Sequence, residues 1–172
     1  MTIQVRPAVL DDAAPVAEVR VSSWRVAYDG IVPGEVLDGM DPVAAAERTR
    51  VSLADPANPL RLRVAERNGV IVGFTITGPY RGGGVPENSG EVMAIYAHPD
   101  HWSTGVGRVM MDDALDDLAT AGLGPVFLWV LRDNARARRF YERAGFAFDG
   151  IEQLYTAGGV PLPELRYRKD IP

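Results

Sequence analysis

Residues 91–107 read EVMAIYAHPDHWSTGVG and run into RVMMDDALDDLA at 108–119. The opening residues Glu91–Ala97 are apolar enough for a strand, 98–103 form a polar turn, and a glycine-bearing loop then opens an amphipathic helix. Backbone N–H groups are unpaired at a helix start, and glycines let a ligand come close to them, so this order makes an anion site. The helix is expected over about 104–121, with Val106, Val109, Met110, Ala114, Leu118 and Ala121 along one face.

Working outward, PVFLWVL at 125–131 is too uniformly apolar for a strand with one wet face, which puts it mid-sheet. Asn134–Ala144 reads as a short helix closed by Gly145, and Phe146–Tyr155 with Glu164–Lys169 as a terminal antiparallel pair. Upstream, Ile3–Pro7 is a strand, and Asp11 and Asp12 cap a helix reaching about Tyr28. The segment 29–39 (DGIVPGEVLDG) is loop-like, and Asp41-Pro42 opens a second helix through about Leu53. Arg61–Arg67, the hairpin signal Asn68-Gly69 and Val70–Thr77 make two strands. Residues 78–90 (GPYRGGGVPENSG) form a long loop of a kind that often serves function. No repeat or linker interrupts 1–172, so the chain reads as a single domain of mixed α/β class.

Composition narrows the functional classes. With 172 residues and 47% hydrophobic content the chain can bury a substantial core, and its mean hydropathy is near zero. No apolar run has the ~20 residues of a membrane span, and no secretory signal is visible at MTIQVRPAVLDD, so neither a membrane association nor export is expected and cytoplasm is the default. Cysteine is absent, which removes disulfides and thiol chemistry. A formal net charge of −5 argues against nucleic acid as partner. The charge is uneven: residues 1–60 hold nine acidic groups against five arginines, whereas 132–143 hold five arginines against Asp133 and Glu142. That division suits a cationic acceptor and an anionic cofactor, and suits a merely solvated surface equally well. The His98-x-x-His101 spacing is interrupted by Pro99 and has no further histidine or cysteine to complete it, so no metal is expected. No G-x-S-x-G elbow or Walker loop is present.

His98-Pro99-Asp100, the Gly105-Val106-Gly107 loop, Asn134, Tyr141 and Gly145-Phe146, in this order and spacing, resemble the acetyl-CoA-dependent GNAT N-acetyltransferases, in particular bacterial members of unassigned substrate. The resemblance implies a single layer of predominantly antiparallel sheet, with helices on both faces and a splayed central parallel strand pair. It implies acetyl-CoA as co-substrate. The cofactor diphosphate would lie on Trp102, Ser103, Thr104, Gly105, Val106, Gly107 and Arg108. The pantetheine arm would pair with the strand edge at Ile95, Tyr96 and Ala97, and Asn134 would touch it while capping its helix. The first loop residue, commonly Gln or Arg in the family, is here Trp102, whose indole offers one donor and no guanidinium. The arginines at 136, 138 and 139 could meet the 3′-phosphate or simply form a solvated helix face.

For chemistry, the resemblance nominates Tyr141 as general acid for the departing thiolate, against the alternative of a core aromatic. Glu91 is the candidate base for the amine: an apolar strand context could raise its pKa, and a solvated strand end is the plain alternative. Other family members carry a Glu on the following strand, where this chain has Trp129. Trp24 and Tyr28 either wall an acceptor pocket or pack in the core, and Asp29 or Glu35 could hold a cationic acceptor. The expected reaction is direct transfer of acetyl to a primary amine in a ternary complex, on a small-molecule or peptide acceptor. A non-catalytic acyl-CoA-binding module and a transferase for longer acyl-CoA are the alternatives. The terminal hairpin could pair across a homodimer.

Overall fold

The computed structural model describes residues 2–171. Its strands are β1 (Ile3–Pro7), β2 (Arg61–Arg67), β3 (Val70–Pro79), β4 (Gly90–Ala97), β5 (Val126–Leu131), β6 (Ala147–Ala157) and β7 (Val160–Lys169). Its helices are α1 (Ala13–Ala27), α2 (Gly34–Asp38), α3 (Pro42–Ala54), α4 (Val106–Thr120) and α5 (Ala135–Arg143). The strands form one sheet in the order β1-β2-β3-β4-β5-β7-β6, in which β4–β5 is parallel and every other neighbouring pair is antiparallel.

Local chemistry sets several of these boundaries. Asn68 and Gly69 adopt positive φ (54° and 77°), as a two-residue hairpin turn between right-twisted strands requires. The Asp41 side chain accepts the N–H of Val43 at 2.8 Å ahead of Pro42, capping α3. Alternation along the strands then covers both faces. Val64 and Phe74 pack on Val16 and Val19 of α1, while Ala65 and Val72 pack on Val106 and Met110 of α4.

Two expectations are corrected. The segment 29–39 is not all loop, because Gly34–Asp38 closes a short helix whose Leu37 is buried against Val32, Leu131 and Ala157. On α4, Val109 is 37% exposed and Met111 is buried. The helix must cover β5 as well as β1–β3, so its apolar stripe widens toward Met111 and Leu118, which pack with Leu128.

The sheet opens at its centre. β4 and β5 pair only at Gly90↔Val126 and Glu91↔Phe127, whereas β5 pairs with β7 along its whole length. Opposite this opening the β3–β4 ladder runs Thr77↔Val92 then Ile76↔Ala94, which leaves Met93 as a bulge. A bulge bends its strand and raises the local twist, and here it carries β4 away from β5.

Candidate active site

The loop before α4 presents a run of unpaired backbone N–H groups. Ser103 (φ 61°) and Gly105 (φ 90°) are both left-handed, so the chain reverses and aims successive N–H groups outward. The N–H groups of residues 103–108 have no hydrogen-bond partner among the described residues, and the ladder of α4 begins with Val109 donating to Gly105. The two glycines do different work. Gly105 carries the turn with open space beside it, whereas a Cβ at Gly107 would come 3.2 Å from the Phe140 ring, so Gly107 allows α5 to pack close.

Trp102 does not point its donor at this loop. Its Nε1–H donates to the Ala97 carbonyl at 2.8 Å, and Ser23 Oγ, whose proton also has the Val19 carbonyl as acceptor, lies 3.2 Å from the same oxygen. Over the indole face lies Arg136 of α5, its guanidinium carbon 3.6 Å from the ring centre. Arg138 turns inward to Tyr167 Oη (3.1 Å) and Arg132 O (3.2 Å), and Arg139 is exposed.

From the loop, the parted strands lead into a cleft of about 330 Å³ lined by residues of α1, β4, β5, α5, β6 and β7. His98 N–H donates to Val72 O, so the main-chain groups of Tyr96 and His98 face β3. Those of Ile95 and Ala97 therefore face the edge that β5 has left. The Ala97 oxygen is already occupied by Trp102. Ile95 keeps its free edge within the cleft lining.

Tyr141 also lines the cleft, on the α5 side, with its ring against Phe140 and Phe146. Its hydroxyl has no hydrogen-bond partner among the described residues, and burial pushes the phenol's pKa upward. Asn134 caps α5 by accepting the N–H of Ala137 at 3.1 Å and is itself part of the lining. Facing them, Trp24 and Tyr28 pack edge to face with centroids 4.6 Å apart, and Tyr28 shares a 3.2 Å hydrogen bond with Tyr96. They serve as wall and core at once, since Trp24 and Tyr28 also pack on Val32, Leu37 and Leu131. Burial raises the pKa of both phenols, Tyr28 and Tyr96, so this wall stays uncharged.

Glu91 is buried at the floor of the cleft, and its oxygens are taken. Arg81 donates through Nη2 to Oε1 (3.0 Å) and through both Nε and its backbone N–H to Oε2 (3.1 Å each). Asp29 and Glu35 do not reach the cleft: both are exposed, because α2 turns this segment over Leu37. The carboxylate that does line it is Glu164 on β7, directly across from Leu131. Glu164 accepts one hydrogen bond, from Gln153 Nε2 at 2.9 Å, and burial, with the charge of Glu91 adding, raises its pKa. No short motif marks Glu164; only the β5–β7 register brings it there. Among the described residues no group of His, Asp or Glu side chains is arranged to hold a metal ion.

Comparison with known proteins gives a consistent picture. The acetyltransferase (GNAT) family model matches residues 27–146. A protein named probable N-acetyltransferase in Mycobacterium tuberculosis is 27% identical over 171 residues, covering 96% of this chain and 92% of that one. The mycothiol acetyltransferase of Thermomonospora curvata is 34% identical over 112 residues, but those are 64% of this chain and only 36% of that protein, so the chain spans about a third of its length. Among solved structures, PaiA N-acetyltransferase of Thermoplasma acidophilum, in complex with coenzyme A, superposes with a TM-score of 0.80 at 20% identity, covering 99% and 100% of the two chains.

Proposed function

This chain belongs to the acetyltransferase (GNAT) family, and from that premise we propose that it moves acetyl from acetyl-CoA directly to a primary amine held in the same cleft. The observation that carries this reading is the run of unpartnered N–H groups at 103–108, placed beside a parted strand edge with Tyr141 within the opening.

In this reading the diphosphate sits on the backbone of residues 103–108 at the positive end of α4. The guanidinium of Arg136, stacked on Trp102 at the start of this loop, supplies the positive charge that an Arg at position 102 would otherwise bring. The pantetheine amides add to the β4 edge at Ile95, as an extended ligand adds to any exposed strand edge. Holding thioester and amine side by side is the main source of rate. A main-chain N–H of the bulged stretch near Ala94 or Ile95 steadies the oxyanion. Tyr141, whose phenol stays neutral and has no competing partner, gives its proton to the leaving thiolate. Glu91 was the sequence's candidate for taking the amine's proton. Its fork with Arg81 makes it a fixed element of the cleft floor.

A non-catalytic acyl-CoA-binding module draws on that same occupied Glu91. One experiment separates the two. Purified protein with acetyl-CoA and a panel of primary amines should release free CoA thiol in an amine-dependent way. Tight CoA binding by calorimetry with no thiol release across the panel would establish the binding module instead.

A further inference from the structure

The cleft contains a second carboxylate whose surroundings differ sharply from those of Glu91. Glu91 is buried beneath an arginine fork and accepts three hydrogen bonds from that one residue. Glu164 is half-buried, forms no ion pair among the described residues, and accepts a single bond from the neutral amide of Gln153. Strand pairing places it opposite Leu131 on β5 and opposite Gln153 on β6, and it lines the cleft together with Tyr28 and Trp24. A carboxylate with free lone pairs, walled by aromatic rings, is a receptor for an ammonium group: the charge pairs with the oxygens and the C–H surface lies on the rings.

We infer that Glu164 binds the acceptor as a cationic ammonium ion and takes its proton, so that the acceptor is a small cationic amine and Glu164, not Glu91, is the base. The inference rests on the amine-acetylation reading above. An aliphatic ammonium has a pKa near 10, so at neutral pH nearly every acceptor arrives protonated and must lose a proton before it can attack. One N–H proton passes to Glu164, leaving a carboxylic acid and a free amine lone pair. That lone pair forms the C–N bond at the thioester carbonyl. As the tetrahedral intermediate collapses, the C–S bond breaks and the thiolate takes the Tyr141 proton. The nitrogen's second proton and the one on Glu164 leave to solvent, and the Tyr141 phenolate is reprotonated from it. Burial favours this use, because a carboxyl whose pKa lies above the ordinary range holds a proton longer than an exposed one.

The test compares Glu164→Gln and Glu91→Gln with the parent, using tyramine, putrescine and L-lysine amide as acceptors and thiol release as readout across pH 5–10. Glu164→Gln, an isosteric change, should lower kcat/KM for the amine by about 100-fold near pH 7. It should also convert the pH profile from one with a flat neutral region to a unit slope rising toward the amine's own pKa, while KM for acetyl-CoA stays put. Glu91→Gln should keep the parent's profile shape whatever its effect on rate. Glu164→Asp should restore the flat region at reduced kcat, which a purely structural Glu164 would not do. A Glu164→Gln enzyme with parental rate and profile, or a unit slope produced by Glu91→Gln instead, overturns the assignment while leaving acetyl transfer intact. Absence of thiol release from the parent with every amine overturns the acetylation reading itself.

Discussion

The guanidinium of Arg136 lies 3.6 Å above the indole ring of Trp102, while the indole N–H is bound to Ala97 O. The two residues come from different helical neighbourhoods, the loop before α4 and the first turn of α5. Together they make one unit: the ring holds the guanidinium at the residue that leads into the unpartnered N–H groups of residues 103–108. Arg136→Gln is therefore expected to raise KM for acetyl-CoA by about tenfold, equivalent to ~1.4 kcal/mol, with little change in kcat. Repeating the measurement with dephospho-acetyl-CoA identifies the phosphate concerned. If the variant's defect disappears with that donor, Arg136 meets the 3′-phosphate; if it persists, Arg136 meets the diphosphate. An unchanged KM with both donors would leave the stack a packing feature.

Tyr141→Phe removes the proposed proton donor and little else, since the ring's contacts with Phe140 and Phe146 remain. Expected are a fall in kcat of about 100-fold and unchanged CoA affinity by calorimetry. The pH consequence has a definite sign. Exposed phenols ionise near pH 10, and burial moves Tyr141 above that, so the acid form persists where a free tyrosine would begin to lose its proton. The parent's kcat should therefore show no decline on the alkaline side up to about pH 10. A decline near pH 9 that Tyr141→Phe abolishes would mean a phenol of ordinary or lowered pKa.

The features that sequence disclosed are those whose chemistry is local. Asn68-Gly69 is a turn signal complete in two residues, and Asp41-Pro42 or Asn134 needs only the next turn of helix to act as a cap. The order of strand, loop and helix from Glu91 onward was legible for the same reason. Glu164 was not, because its place depends on the register Leu131↔Glu164 and on a bulge at Met93, neither of which a local pattern encodes. Asp29 and Glu35 show the converse limit: both are exposed and outside the cleft lining, and the five-residue helix anchored through Leu37 that carries Glu35 has no signal in the local sequence. Glu91, for which sequence offered both a base in an apolar strand and a solvated strand end, is buried, and its partner Arg81 comes from a loop that carries no motif.

Gly73 of β3 lies directly under the Met110 side chain of α4. A Cβ there would lie 2.7 Å from Met110 Sδ and 3.0 Å from the Tyr96 carbonyl. The Met110 thioether can move, but the Tyr96 main chain belongs to the strand that borders the cleft. Gly73→Ala should cost ~1–3 kcal/mol in urea unfolding and lower kcat as well, because relief of the clash displaces β4. A destabilised variant with parental kcat would show that the strain is relieved entirely on the α4 side.

Asp12 anchors the start of α1 to β1, accepting from Arg6 Nη1 (2.7 Å), Arg6 Nη2 (3.0 Å) and the Val9 N–H (2.8 Å). The Arg6 fork is the main reason its carboxyl titrates below the usual range; the Val9 N–H adds to that, and burial opposes it. A folded pKa below the unfolded one means that folding is favoured by the ionised form. That stability is fully present above the unfolded value of about 4 and drains away as pH falls through the folded value. Asp12→Asn should cost on the order of 1–3 kcal/mol at pH 7, the range for a hydrogen bond to a charged group. The gap between parent and variant should then close progressively below about pH 4. Urea melts of both proteins at stepped pH give this directly. A gap that stays constant down to pH 2 would mean that Asp12 stabilises through shape and neutral hydrogen bonds, not through its charge.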